Sequence, residues 1–365
     1  MRRSACSGSP RPRTSPRSST APISRTRSDR PLSRLIGAVS LFLWGTLPAQ
    51  PAASPVLRTV ADIPMPGPAV RFDYQSLDTA SNRLFMSHMN AGQLVVFDVK
   101  TRTVVRALDG FERVRGVLAV PEEGRVYASA WGRHQVVVVD AASLAVIARV
   151  AGVSDPDGVA YAPGAHRVFV SNEQGNADGV IDARTNQFVT ELPLDGEAGN
   201  TVYDPTSQHI LVGVHGKNEL VTIDPVSAKI IAHTPLPGID DPHGIVLDTK
   251  RHLAFVAGEG NAMLAVVDLT AMKILHTYKV PDGPDVLAYD PGWRRLYVSS
   301  ESGGVAVFTE ADSPAGVGLV RNGALSMPRA HTVSVDPRTH LVYFPLENVN
   351  GKPLLRIMEG DAPVQ

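Results

Sequence analysis

A pattern of four short strands returns seven times along this 365-residue chain, and that repeat limits the architecture more than any other property. Residues 241–281 show the unit most plainly. Four apolar runs, Gly244–Leu247, His252–Ala257, Leu264–Asp268 and Lys273–Val280, are each bounded by turn-forming residues. They read as a four-stranded antiparallel meander. Such a sheet exposes two edges and two apolar faces, so one copy cannot persist alone in water.

The second run of each unit carries an aliphatic anchor: Leu84, Val126, Val168, Ile210, Leu253, Leu296 and Val342. Successive anchors are 42, 42, 42, 43, 43 and 46 residues apart. Seven four-stranded units at this period predict an all-β fold, a seven-bladed β-propeller. A solenoid is the structural alternative, but its repeats are shorter or helical, and no helical periodicity is visible. Val56–Ile63 is a lone strand resembling the fourth of a repeat, whereas the last repeat supplies only three, at 332–335, 341–345 and 353–358. The N-terminal strand is therefore expected to complete the C-terminal blade and close the ring.

Residues 1–53 form a separate segment and 54–365 the propeller. The segment holds nine arginines, no lysine and one acid, leaving 26 basic against 35 acidic residues in the remainder. An acidic body argues against a nucleic-acid partner. Residues 1–30 read as a disordered basic extension. Arg30–Arg34, the apolar run Leu35–Leu47 and the small residues after Pro48 form the three zones of a secretory signal peptide. Thirteen apolar residues are too few for a permanent anchor, so no membrane anchor is expected after cleavage near Ala49 or Ala53. A transit peptide is the second reading. The expected location is periplasmic or secreted, and the expected state a monomer. Cys6 is the sole cysteine, so the repeats hold no disulfide, no Cys-ligated metal and no covalent haem attachment.

Several motifs recur in fixed places. Second strands read Arg-Val-Phe-Val-Ser-Asn at 167–172 and Arg-Leu-Tyr-Val-Ser-Ser at 295–300. First strands end in Asp-Pro at 204–205, 290–291 and 336–337, and third strands end in Val/Ile-Asp at 139–140, 181–182, 223–224 and 267–268. On these motifs the chain resembles the YncE-like, YVTN-repeat β-propellers over roughly residues 56–358. The resemblance implies the propeller fold and an exported bacterial protein. Propellers of related shape bind haem d1, carry lactonase or lyase sites, or bind only partners, so it assigns no activity.

In a propeller the first strand of each blade lines the channel, and its start shares one mouth with the end of the second strand. First-strand starts read Asp73, Arg115, Asp157, Asn200, His243, Asp285 and His331. Second-strand ends read Met89, Trp131, Glu173, His215, Glu259, Glu301 and Glu347, with His88 one position off. Charged residues at turns are often only a solvated rim. As a set, these crowd carboxylates and imidazoles around one axis, which suits a divalent cation or a small polar ligand. His243 and His331, with Glu259, Glu301 and Glu347, are the candidate metal ligands, and the two histidines the candidate catalytic bases. Carboxylates alone would favour Ca²⁺ or Mg²⁺; two imidazoles shift the choice toward Zn²⁺ or Fe²⁺. Asp73, His88, Arg115, Trp131, Asp157, Glu173, Asn200, His215 and Asp285 are the candidate ligand contacts, with Trp131 either a stacking surface or a channel plug. Neither a G-x-S-x-G elbow nor a phosphate loop is present. Three functions compete: a ligand- or cation-binding propeller, a metal-assisted hydrolase or lyase, and an interaction scaffold of the cell envelope.

Overall fold

A computed structural model describes residues 56–313, 316–327 and 329–362. The leader and the proposed cleavage sites lie outside the described residues. Seven four-stranded antiparallel sheets are arranged as blades of a ring. Blades 1–6 are continuous in sequence, at 75–109, 114–151, 156–193, 198–235, 242–279 and 284–326. Blade 7 combines Ser334–Asp336, Leu341–Val349 and Lys352–Glu359 with the strand Arg58–Pro64. The unit at 241–281 folds as the strands Pro242–Asp248, Leu253–Gly258, Met263–Asp268 and Lys273–Lys279. No helix among the described residues is long and apolar enough to cross a membrane.

Turn chemistry explains the recurring aspartates. Asp98, Asp182 and Asp268 each accept backbone N–H bonds from residues two and three positions on, at 2.7–3.0 Å. Such Asx turns reverse the chain after the third strand without a tertiary partner. The first-strand aspartates do the same and also bind neighbours. His252 reaches Asp204 at 2.8 Å and His340 reaches Asp290 at 2.7 Å. Those two histidines serve the scaffold.

The hydrophobic core is divided among the seams between blades. Phe85, Val96 and Phe111 of blade 1 pack on Val117, Val126 and Val137 of blade 2. Phe255 and Leu264 of blade 5 pack on Tyr289, Leu296 and Phe308 of blade 6 in the same manner. A separate cluster joins blades 7 and 1, through Tyr343 and Ile357 against Phe72, Leu84 and Phe97. Every blade therefore buries both faces, which a single sheet could not do. The clasp strand pairs Arg58 with Glu359 and Pro64 with Leu354, and Arg356 grips Asp62 at 2.6 and 2.8 Å.

Candidate functional site

The first strand of five blades loses its pairing register at its start, between residues 114 and 117, 156 and 159, 198 and 201, 242 and 245, and 284 and 287. The displaced dipeptides are Arg115-Gly116, Asp157-Gly158, Gly199-Asn200, His243-Gly244 and Asp285-Val286. A bulge of this kind swings a side chain out of the pleat's alternation. Here it turns the first residue of each pair toward the mouth. Glycine then allows blades to approach closely. A Cβ on Gly116 would stand 1.9 Å from the carbonyl oxygen of Asp157, and one on Gly244 would stand 1.9 Å from that of Asp285.

The mouth holds a polar recess of about 220 Å³, lined by Arg71, Asp73, Tyr74, Met89, Arg115, Asp157, Glu173, His243, Glu259, Asp285 and Glu301. Nine of these eleven were expected from the sequence. His243 is its centre, being only 6 % exposed. Its Nε2 lies 3.3 Å from Asp285 Oδ1 and 3.1 Å from the Tyr74 hydroxyl. Its Nδ1 lies 3.3 Å from His215 Nε2 and 3.8 Å from Glu259 Oε2. Arg115 pairs with Glu173, and Arg71 with Glu301 at 2.7 Å.

Burial and charge divide these groups. Burial works against a charge on His243, but Asp285, then Asp157 and Glu259, outweigh it and push its pKa up to about 10. Burial, then the charge on His243, pushes His215 down to about 4. Asp285 has the reverse balance: burial opposes its ionisation, and His243 holds its carboxyl below the ordinary range. At Asp157 burial, Asp73 and Glu173 outweigh the pull of His243 and Arg115 and raise it to about 8. Burial likewise raises Glu259, and holds the Tyr74 hydroxyl well above its ordinary range. Near pH 7 this leaves an imidazolium at His243 and a neutral carboxylic acid at Asp157 in the recess, with the neutral imidazole of His215 behind His243.

Two triads are spaced to hold a cation. One ligand atom each from His215, His243 and Glu259 lie within 4.8 Å of one another, as do those from Asp73, Asp285 and His331. The five expected metal ligands therefore do not form one set. Glu301 is engaged by Arg71, and Glu347 by Arg329 at 3.0 and 3.1 Å. His331 and Glu347 line a neighbouring recess with Arg71, Asn90, Glu301 and Arg329.

Three expected ligand contacts are placed elsewhere. His88 is fully buried and stacks on Phe72 with ring centroids 4.0 Å apart. It ends its strand where Ala130 and Val214 end theirs, so it points into the blade, and burial lowers its pKa. Asn200 lines the channel below the mouth. The residue matching Asp157 and His243 in that blade is Gly199, whose missing side chain leaves room for His215 Nε2, 3.0 Å from where a Cβ would be. Trp131 carries the Arg113 and Arg115 guanidiniums, each 4.3 Å from its ring centroid, so a side-chain cation already uses its stacking face.

Two recess residues were not foreseen. Tyr74 occupies the position filled by Gly116, Gly158 and Gly244 in other blades, and an aromatic residue at a glycine position is the signal that could have found it. Arg71 lies in the entry loop two residues before Asp73, where Arg113 and Arg329 stand before Arg115 and His331, and that recurring arginine is the signal that could have found it.

No family model and no curated protein matches the chain. Among solved structures it is similar to Kuenenia stuttgartiensis hydrazine synthase, with a TM-score of 0.68 and 14 % identity over 82 % of this chain and 97 % of that one. It is also similar to virginiamycin B lyase from Staphylococcus aureus, with a TM-score of 0.67 and 11 % identity over 82 % of this chain and 99 % of the other. At such identities the likeness extends to the fold, and the fold is a seven-bladed β-propeller.

Proposed function

We propose that this is an exported propeller of the YncE-like kind whose mouth binds a divalent cation through His215, His243 and Glu259, and through it a small polar ligand. The observation that carries this reading is the convergence of two imidazoles and a carboxylate within 4.8 Å, two of them, His243 and Glu259, lining an acidic recess. Two nitrogens and one oxygen suit Zn²⁺ and leave a tetrahedral position open. Asp285 faces His243 Nε2, so that nitrogen keeps its proton while Nδ1, facing His215 and Glu259, takes the metal. A carboxylate behind a ligating imidazole fixes the ring and strengthens the donor. Binding expels the Nδ1 proton and replaces its charge with a larger one, which relieves carboxylate repulsion in the recess.

Calorimetric titration of the metal-free chain with Zn²⁺, Ca²⁺ and Mg²⁺ tests this. Zn²⁺ should bind tightest, and His215→Ala and His243→Ala should each weaken it ten- to a hundredfold with little change in melting temperature. Equal binding by the wild type and both folded variants, or no binding by any of them, would overturn the proposal.

A second reading, metal-assisted hydrolysis or elimination, is favoured by Asp157. A buried, neutral carboxylic acid in the same recess could protonate a leaving group while the cation polarises a carbonyl. One of the similar folds is itself a lyase. Turnover of lactone or cyclic ester substrates by the Zn²⁺-loaded chain, lost in Asp157→Asn, would support this reading. Loading without turnover leaves the binding function alone.

A further inference from the structure

The second triad differs from the first in origin, burial and chemistry. Asp285 lies on blade 6, and Asp73 and His331 in the segments that lead into the first strands of blades 1 and 7, so the ring itself brings them together. They are 3, 5 and 3 % exposed. His331 Nε2 has no hydrogen-bond partner among the described residues. Asp73 Oδ1 stands 3.6 Å from it, beyond hydrogen-bond reach. A buried imidazole with a nitrogen within 4.8 Å of two buried carboxylates, and with its Nε2 unbonded, has the spacing of a cation's ligand set. Arg71 is the side-chain cation at hand. It remains 3.8 Å from Asp73 and 3.9 Å from Asp285 while bonding Glu301 at 2.7 Å, so it screens the pair without filling the space between them.

We propose that Asp73, Asp285 and His331 form a second cation site beside the first, so that the mouth holds two divalent cations. This rests on the reading of the mouth as a cation site. Asp285 serves both sites: Oδ1 faces His243, while the carboxylate as a whole belongs to the second triad. Two carboxylates and one imidazole are harder ligands than two imidazoles and one carboxylate. The second site should therefore prefer Mn²⁺, Mg²⁺ or Ca²⁺ where the first prefers Zn²⁺.

The probe is Mn²⁺, followed by the loss of its free-ion electron paramagnetic resonance signal, added to the full chain already loaded with one equivalent of Zn²⁺. The Zn²⁺-loaded wild type should bind one Mn²⁺. His331→Gln and Asp73→Asn should keep Zn²⁺ and weaken Mn²⁺ at least tenfold, and His215→Ala should weaken Zn²⁺ and leave Mn²⁺ nearly unchanged. Zn²⁺ binding without any Mn²⁺ binding would overturn the second site and spare the first. Mn²⁺ binding indifferent to both His331→Gln and Asp73→Asn would place the ion elsewhere and also overturn it. Failure to bind either ion would remove both proposals. Should these variants fail to fold, wild-type crystals grown with Mn²⁺ decide the matter: anomalous density between Asp73, Asp285 and His331 supports the site, and its absence at saturating Mn²⁺ refutes it.

Discussion

Asp178 occupies a position that is aliphatic in five other blades, as Leu94, Val136, Leu220, Leu264 and Val305. It is fully buried, neither carboxylate oxygen has a hydrogen-bond partner within reach among the described residues, and the Thr201 hydroxyl and Val170 N–H face it. Burial raises its pKa to about 7. Below the ordinary carboxylate pKa of about 3.9 both folded and unfolded chains hold the proton, and the site costs little. Between there and pH 7 the unfolded chain releases the proton while the folded chain retains it, so stability falls as pH rises through this window, then levels. Each unit of difference is worth about 1.4 kcal/mol, so the total is a few kcal/mol. Asp178→Leu should remove this group's share of the slope, leaving a shallower one from groups such as Asp157, and raise the melting temperature at pH 8 by several degrees in calorimetry from pH 4 to 8. A lower melting temperature throughout would mean that the carboxylate has a stabilising partner. The substitution lies away from the mouth and should leave cation binding unaltered.

At the scale of elements, the clasp carries the fold's closure. Removing residues 56–64 should leave the edge of Lys352–Glu359 unpaired and strip the seam between blades 7 and 1 of Val60, Ala61 and Ile63. The expected result is aggregation and loss of the cooperative melt, measured by light scattering and circular dichroism. Arg356→Ala, which removes only the half-exposed ion pair with Asp62, should cost less than about 1 kcal/mol. Similar losses in the two variants would mean that the pair, and not the pairing of strands, closes the ring. This element was legible in the sequence because a strand without local partners and a repeat lacking one strand call for each other. The bulges were not. They arise from steric terms between blades, and a dipeptide such as His243-Gly244 reads the same whether its strand is regular or displaced. That is why Asn200 was expected at the mouth, although the register puts Gly199 there.

At the scale of the whole molecule, the repeat period made the propeller plain, and the ring put nine expected residues around one recess. Which of them share a ligand set was not legible, because His243 meets His215 and Glu259 while His331 meets Asp73 only through the curvature of the closed ring. The leader makes its own prediction: the mature chain should begin near Gln50 or Ser54 in the exported fraction, by N-terminal sequencing. Finding residues 1–47 intact on cytosolic protein would refute export. The clasp also imposes an order in time. Asp62 bonds Arg356, 294 positions away, so the first of the described strands to be made is among the last to find its partner. Six blades are continuous in sequence, but the seventh waits until Lys352–Glu359 has been made. Throughout that interval the strand is an open edge, and a chain halted before residue 352 can never cover it.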